Sequence, residues 1–265
     1  MKLALTLEEQ SLQFDRCAKL YDKYCTTYPL DLIDEIIKKS KIQPGDEILE
    51  IGSGNGEATQ FFAQDYPMVC IEPGASLVEI CKGKLIKPKK ISYYIERFEN
   101  WNNEGKRFKL IISGQALHWV PLGLRYVKVS QSLNHGGYMG LFWNMYLNDE
   151  TELCNDLSNL CKQYNVLTFK TEQQVNNQIK AFEQEIIHSG QFSETNLNIF
   201  PWQKRYTFDT FLGFLKTGLG YQNLNVEHTN LFNDELKRWF DLSNGFLDLK
   251  IHCVLYLSKK ADKSL

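Results

Sequence analysis

Hydrophobic positions along this chain alternate between two spacings, one helical and one characteristic of buried strands. Leu30, Ile33 and Ile37, with Ile36 alongside, recur at helical spacing and predict a helix ending near Ser40. Pro44-Gly45 marks a turn, after which Ile48, Leu49 and Ile51 form a short apolar run, read as a buried strand. That strand opens into Gly52-Ser53-Gly54-Asn55-Gly56, and Ala58 to Ala63 continue as a helix. The exchange then repeats. Met68–Ile71, Ile91–Ile95, Leu110–Ile112 and Tyr138–Asn144 read as strands. Leu77, Ile80 and Cys81 predict one helix between them, and Leu124, Val127 and Leu133 another, capped by Gly136-Gly137. Such alternation predicts an α/β architecture around a parallel sheet.

From Leu147 to about Ser193 the pattern is helical and polar. Leu153, Leu157, Leu160, Cys161 and Tyr164 fall on one face, and Val175, Ile179, Phe182 and Ile186 on another. This stretch is expected to be a helical cap inserted after the fifth strand and covering the site. A lateral packing hairpin or an oligomer contact is the competing reading. Asn198–Thr207 predicts a sixth strand whose Pro201 suits an edge. A helix over Phe211–Leu215 follows, then one starting near Asn233 as N-cap, then a last strand from Leu249 to Leu257. The expected division is an N-terminal lid and ligand-binding core over 1–146, the insertion over 147–198, and the rest of the core over 199–265.

Composition narrows the class. The chain has 265 residues, 43% of them hydrophobic, enough for one large α/β domain with an elaboration. Its formal net charge of −2 supplies no global attraction to nucleic acid or anionic membrane. The lysine-rich connection from Lys82 to Lys90 reads as a solvated face. Seven cysteines lack C-x-x-C spacing and read as reduced thiols, which points to the cytoplasm. No apolar run has the length of a membrane span, and no zinc-ligand spacing occurs.

The candidate chemistry begins at the glycine-rich turn. Alternating glycines let the backbone approach a ligand closely. A dinucleotide site has the pattern G-x-G-x-x-G, with the third glycine where this chain has Glu57, and a carboxylate there would repel a diphosphate. Glu50, at the strand end, suits a ligand with an ammonium or sulfonium group. Glu72 lies roughly twenty residues beyond the turn, where an acid at the tip of the second strand accepts ribose hydroxyls. Ser113, Gln115 and His118 follow the fourth strand, at the edge where open α/β sheets place their ligands.

The string E-I-G-S-G-N-G at 50–56 resembles the first motif of class I S-adenosylmethionine-dependent methyltransferases. Further strings resemble a type 11-like subgroup: F-E-N-W at 98–101, S-G-Q-A-L-H-W-V-P at 113–121 and L-F-W-N at 141–144. The resemblance implies a doubly wound, mostly parallel seven-stranded sheet with one antiparallel strand, the Rossmann-like methyltransferase fold. It implies S-adenosyl-L-methionine as cofactor, S-adenosyl-L-homocysteine as product, and in-line methyl transfer to an O- or N-nucleophile. The cofactor would be held by Glu50, Gly52, Ser53, Gly54, Gly56, Glu72, Pro73, Phe98, Glu99, Ser113 and Gln115. Catalysis would fall to His118 and Gln115, and the substrate pocket to Tyr21, Tyr28, His118, Trp119 and Asn144. The segment F-D-R-C-A-K-L-Y-D-K-Y-C-T-T-Y-P at 14–29 is similar to the subgroup's lid, with Phe14 and Tyr24 read as packing. It departs from the subgroup at Cys25-Thr26-Thr27, where an arginine is usual. Arg97 likewise stands where relatives carry an aspartate that reaches adenine. The implied protein is a monomer or homodimer acting on a small molecule, without nucleic acid, membrane or metal. Two rivals remain: a catalytically silent S-adenosylmethionine-binding regulator and an NAD-dependent oxidoreductase.

Overall fold

The computed structural model describes residues 7–262. Three helices lead in: α1 (Leu7–Arg16), α2 (Ala18–Tyr24) and α3 (Leu30–Ser40). The alternating part follows as β1 (Ile48–Ile51), α4 (Thr59–Phe62), β2 (Met68–Ile71), α5 (Ala75–Lys84), β3 (Ile91–Tyr94), β4 (Phe108–Gly114), α6 (Leu122–Ser132) and β5 (Leu133–Tyr146). A single 3₁₀ turn, Leu117–Trp119, lies between β4 and α6. Then come α7 (Glu152–Gln163), α8 (Glu172–His188), β6 (Phe192–Tyr206), α9 (Phe208–Thr217), α10 (Leu219–Gln222), α11 (Val226–Leu242) and β7 (Leu247–Lys260).

The strands form one seven-stranded sheet in the order β3-β2-β1-β4-β5-β7-β6. The pairs from β3 through β5 are parallel. β7 runs antiparallel to both β5 and β6, so it alone points the other way. The expected doubly wound, mostly parallel sheet is present.

Successive side chains on a strand point to opposite faces, and here both faces are covered. Leu49, Ile51, Val69, Ile71, Ile111 and Leu141 face a core closed by α6 and α8. Ile48, Met68, Cys70, Leu110 and Ile112 face the other, closed by α3 and α4. This explains why β1 and β2 read as unbroken apolar runs: every residue in them is buried. A third cluster joins α7, α9 and α11 beyond the β6–β7 end.

Several expectations shift. Val175, Ile179 and Ile186 of α8 belong to the same core as β1 and β4, so α8 is a crossover helix lying on the sheet. β6 already begins at Phe192, so a boundary at 198 would divide a strand. Gly136-Gly137 lies inside β5, and α6 ends at Ser132. The last helix starts at Val226: Asn225 is its N-cap and accepts from the His228 amide, while Asn233 sits mid-helix and accepts from the Tyr221 hydroxyl. Pro201 does fall on an edge strand, the outermost in the sheet.

Candidate functional site

A cleft of about 760 Å³ opens at the carboxyl ends of β1, β2 and β4. Parallel strands leave their last residues there, beside the turns into the following helices. Its walls bring together Gly52, Gly54, Glu72, Pro73, Phe98, Glu99, Gln115, Trp119 and Tyr21. The lid supplies Phe14 and Tyr21 from α1 and α2, touching edge-to-face at 5.6 Å; Phe14 also meets Trp119 at 6.1 Å.

At the centre of the wall, Glu72 is held by two backbone amides. Gly54 N–H donates to Oε2 at 3.0 Å and Gly74 N–H to Oε1 at 2.8 Å. Burial nevertheless pushes its carboxyl up to about 7, with the two amides opposing the shift. Gly54 has φ +53, and a Cβ built on it would meet no protein atom within 4 Å. The loop thus leaves open space in front of Gly54, beside a carboxylate anchored to its amide. Ser53 Oγ in the same loop is buried without a protein partner. A glycine-cradled acid of this kind fits the hydroxyls of a nucleoside.

One end of the cleft is formed by Arg97, Phe98 and Glu99. Arg97 pairs with Glu99 at 2.6 Å, and Lys128 lies 5.1 Å from the Phe98 ring centre while donating to the Glu99 carbonyl at 2.9 Å. The other end is Gly114-Gln115-Ala116. Gln115 takes the left-handed conformation (φ 54), uncommon outside glycine, and its amide donates to the Phe142 carbonyl at 2.9 Å. A Cβ on Gly114 would lie 2.5 Å from the Phe142 ring and 2.6 Å from the Tyr28 hydroxyl, so only glycine fits.

Other candidates lie outside the cleft. Strand alternation puts Glu50 on the Ile48 and Cys70 side, where it accepts from Thr59 Oγ1 at 2.7 Å. Complete burial pushes its carboxyl up to about 8, so it is mostly protonated at neutral pH. Ser113 Oγ donates to the Ile51 carbonyl at 2.8 Å and ties β4 to β1. A Cβ on Gly56 would come within 2.7 Å of Cys81 Sγ, so this glycine serves the packing of the loop on α5. Tyr28 is buried behind the wall, edge-on to Phe142 at 4.7 Å.

Asn144 also sits behind the wall. It donates to Thr26 Oγ1 at 3.2 Å and the Thr27 carbonyl at 3.0 Å, and accepts from Trp202 Nε1. His118 Nδ1 accepts from Trp143 Nε1 at 3.3 Å, and its ring lies 4.8 Å from Trp119. Burial and the nearby Arg125 push its imidazole down to about 4. It is therefore a neutral, half-buried support for Trp119 and not a wall residue. No residue of 147–198 lines the cleft, so the cover comes from α1 and α2 instead.

Phe14, expected to pack, lines the cleft, as do Gly114, Ala116, Val120 and Leu77, which the motifs do not single out. Gly114 alone carried a signal, a glycine at the carboxyl end of a predicted strand. The hydrophobic wall residues look like any core position.

The strand order, with β7 antiparallel beside β5, is that of the Rossmann-like methyltransferase fold, and the cleft lies at its ligand-binding edge. Residues 48–137, from β1 into β5, match the family described as a methyltransferase domain. Solved structures agree on the fold. The YcgJ protein of Bacillus subtilis superposes with a TM-score of 0.58 at 13% identity, over 89% of this chain and 100% of its own. A methyltransferase of Geobacter sulfurreducens, solved with S-adenosylhomocysteine, gives 0.53 at 10% identity over 93% and 98%. Phosphoethanolamine N-methyltransferase 2 of Haemonchus contortus, solved with phosphomonomethylethanolamine and S-adenosylhomocysteine, gives 0.55 at 11% identity. That alignment covers 98% of this chain and 61% of the Haemonchus protein. No curated protein matches the sequence. Among the described residues, no helix is long and apolar enough to cross a membrane.

Proposed function

We propose that this protein transfers a methyl group from S-adenosylmethionine to a small-molecule acceptor. The observation that carries the reading is the pairing of Glu72 with the Gly54 amide in one cleft with Gln115 and the lid aromatics. Glu72 would hold the ribose hydroxyls, Pro73, Phe98 and Glu99 the adenine, and Gly52 and Gly54 the methionine side. The cofactor supplies a sulfonium methyl open to in-line attack. Tyr21 and Gln115 flank that end and orient the acceptor. Phe14, Tyr21 and Trp119 exclude water, and rate enhancement in such a transfer rests largely on alignment. A small acceptor is supported by the enclosing lid and by the small amine bound to the Haemonchus protein.

Titrating the purified protein calorimetrically with S-adenosylmethionine, S-adenosylhomocysteine and NADH tests the reading. Micromolar binding of the two sulfur compounds without NADH supports it; NADH binding alone overturns it. Binding without turnover across broad acceptor pools would favour a cofactor-binding regulator.

Two mutational outcomes follow. Since Glu72 titrates near 7 in the free protein, cofactor affinity should rise several-fold, about 5-fold, as pH goes from about 6 to about 8. The sign follows from the carboxylate being both the better hydroxyl acceptor and the better partner for a cationic ligand. Glu72→Gln should weaken binding by roughly 1–3 kcal/mol and flatten this profile; an unchanged slope would assign the titration elsewhere.

His118 leads to the opposite expectation. His118→Ala should leave the pH dependence of turnover intact, because its imidazole is neutral and outside the cleft. Loss of a limb from that profile would return His118 to the chemistry.

A further inference from the structure

Glu57, the residue that argues against a dinucleotide, does not line the cleft, yet it belongs to a charged network that reaches the lid. Lys84 Nζ, at the last turn of α5, lies 2.6 Å from Glu57 Oε1 and 2.6 Å from Asp22 Oδ1 of α2. Buried Asn55, next to Gly54, donates to the same Asp22 oxygen at 3.0 Å and to Glu57 Oε1 at 3.4 Å. Asp22 adjoins Tyr21, which lines the cleft.

A second tie holds the lid at the end of α1. Asp15 Oδ1 accepts from the Leu77 amide at 3.1 Å, and Oδ2 from Ser76 Oγ at 3.2 Å. Gly74, the N-cap of α5, has no side chain to give, so Asp15 of α1 caps α5 from outside. The lid is therefore strapped along α5 at both ends, by Asp15 at its start and Asp22 at its finish. Phe14, next to Asp15, and Tyr21, next to Asp22, hang over the cleft. The Lys84 tie is only partly buried and is an ion pair, so salt screens it and it opens more readily than the hydrophobic core.

We propose that Lys84 is a positioning residue that latches the α1–α2 lid shut by bridging Asp22 to Glu57, and that release of this latch gates passage of the cofactor. The inference rests on the proposed cofactor only for its kinetic test. Lys84→Met should raise the exit rate of S-adenosylhomocysteine about tenfold, read by stopped-flow Trp fluorescence, and abolish the salt dependence of that rate. Lys84→Arg should restore both. Equal exit rates in wild type and Lys84→Met at low and high salt would overturn the latch.

A ligand-free measurement separates this from the functional reading. In hydrogen exchange, Lys84→Met and Asp15→Asn should each speed exchange of amides in 12–24 about fivefold or more, while β1 and β2 stay unchanged. Unaltered protection of α1 and α2 would sink the proposal even if the cofactor binds. Faster lid exchange in a protein that binds no S-adenosylhomocysteine would keep the latch and reject the cofactor.

Discussion

Gly54→Val is expected to abolish measurable binding of S-adenosylmethionine while leaving a folded protein. Two effects add. A β-branched residue at φ +53 is strained by about 1–2 kcal/mol, enough to shift the loop that presents the amide to Glu72. Its side chain would also project where no protein atom lies within 4 Å, the space assigned to the cofactor. An affinity loss of about 100-fold or more, roughly 3 kcal/mol, is expected by calorimetry, with near-native circular dichroism. Near-normal affinity in a folded Gly54→Val protein would mean that the ligand does not pass in front of this loop. Gly54→Ala shares the backbone strain but adds less bulk and should fall between, which separates the two causes.

Phe142→Ala should have the largest effect on stability, about 3–5 kcal/mol. The ring is fully buried in β5, packs edge-on against Tyr28 and closes the space behind Gly114. Removing it leaves a cavity in the sheet core and frees Tyr28, which packs on Phe142 and beside Gly114 of the cleft wall. Denaturant unfolding should therefore show a lowered midpoint, and cofactor binding should weaken by a smaller factor. A loss below about 1 kcal/mol would mean that neighbouring side chains refill the site, as volume-tolerant cores do.

Much of the fold was legible because it depends on local signals. β1 and β2 are buried on both faces, so they announce themselves as unbroken apolar runs. The glycine-rich turn and Glu72, at the ends of these strands, were found for the same reason. Glu50 shows what a reading by position alone misses. It stands one residue before Ile51, and period-two alternation already assigns it to the Ile48 face, away from the ligand edge.

His118 and Asn144 are expected at the site because the strings around them resemble the family's motifs and lie at or beyond strand ends. Their side chains turn instead to Trp143 and to the Thr26–Thr27 connector, contacts made over separations of 25 and more than 100 residues. No periodicity encodes such partners. The apolar stripe of α8 predicted a helix correctly but could not say which surface it would cover. The lid posed the same difficulty, because Phe14 and Tyr21 reach the cleft only through the docking of α1 and α2 on α5.

The position of β7 has a consequence for how the chain assembles. β5 and β6 never pair with each other; each pairs with β7, the last element, which enters the sheet between them. Until residues 247–260 arrive, both earlier strands present open hydrogen-bonding edges, and α8 has only part of the surface it covers. Closure is thus a late, long-range event, of the kind that slows folding and exposes nascent chains to misassociation. The half that carries the cleft is built from contacts between near neighbours in sequence, yet it waits for the most distant segment to seal the sheet beside it.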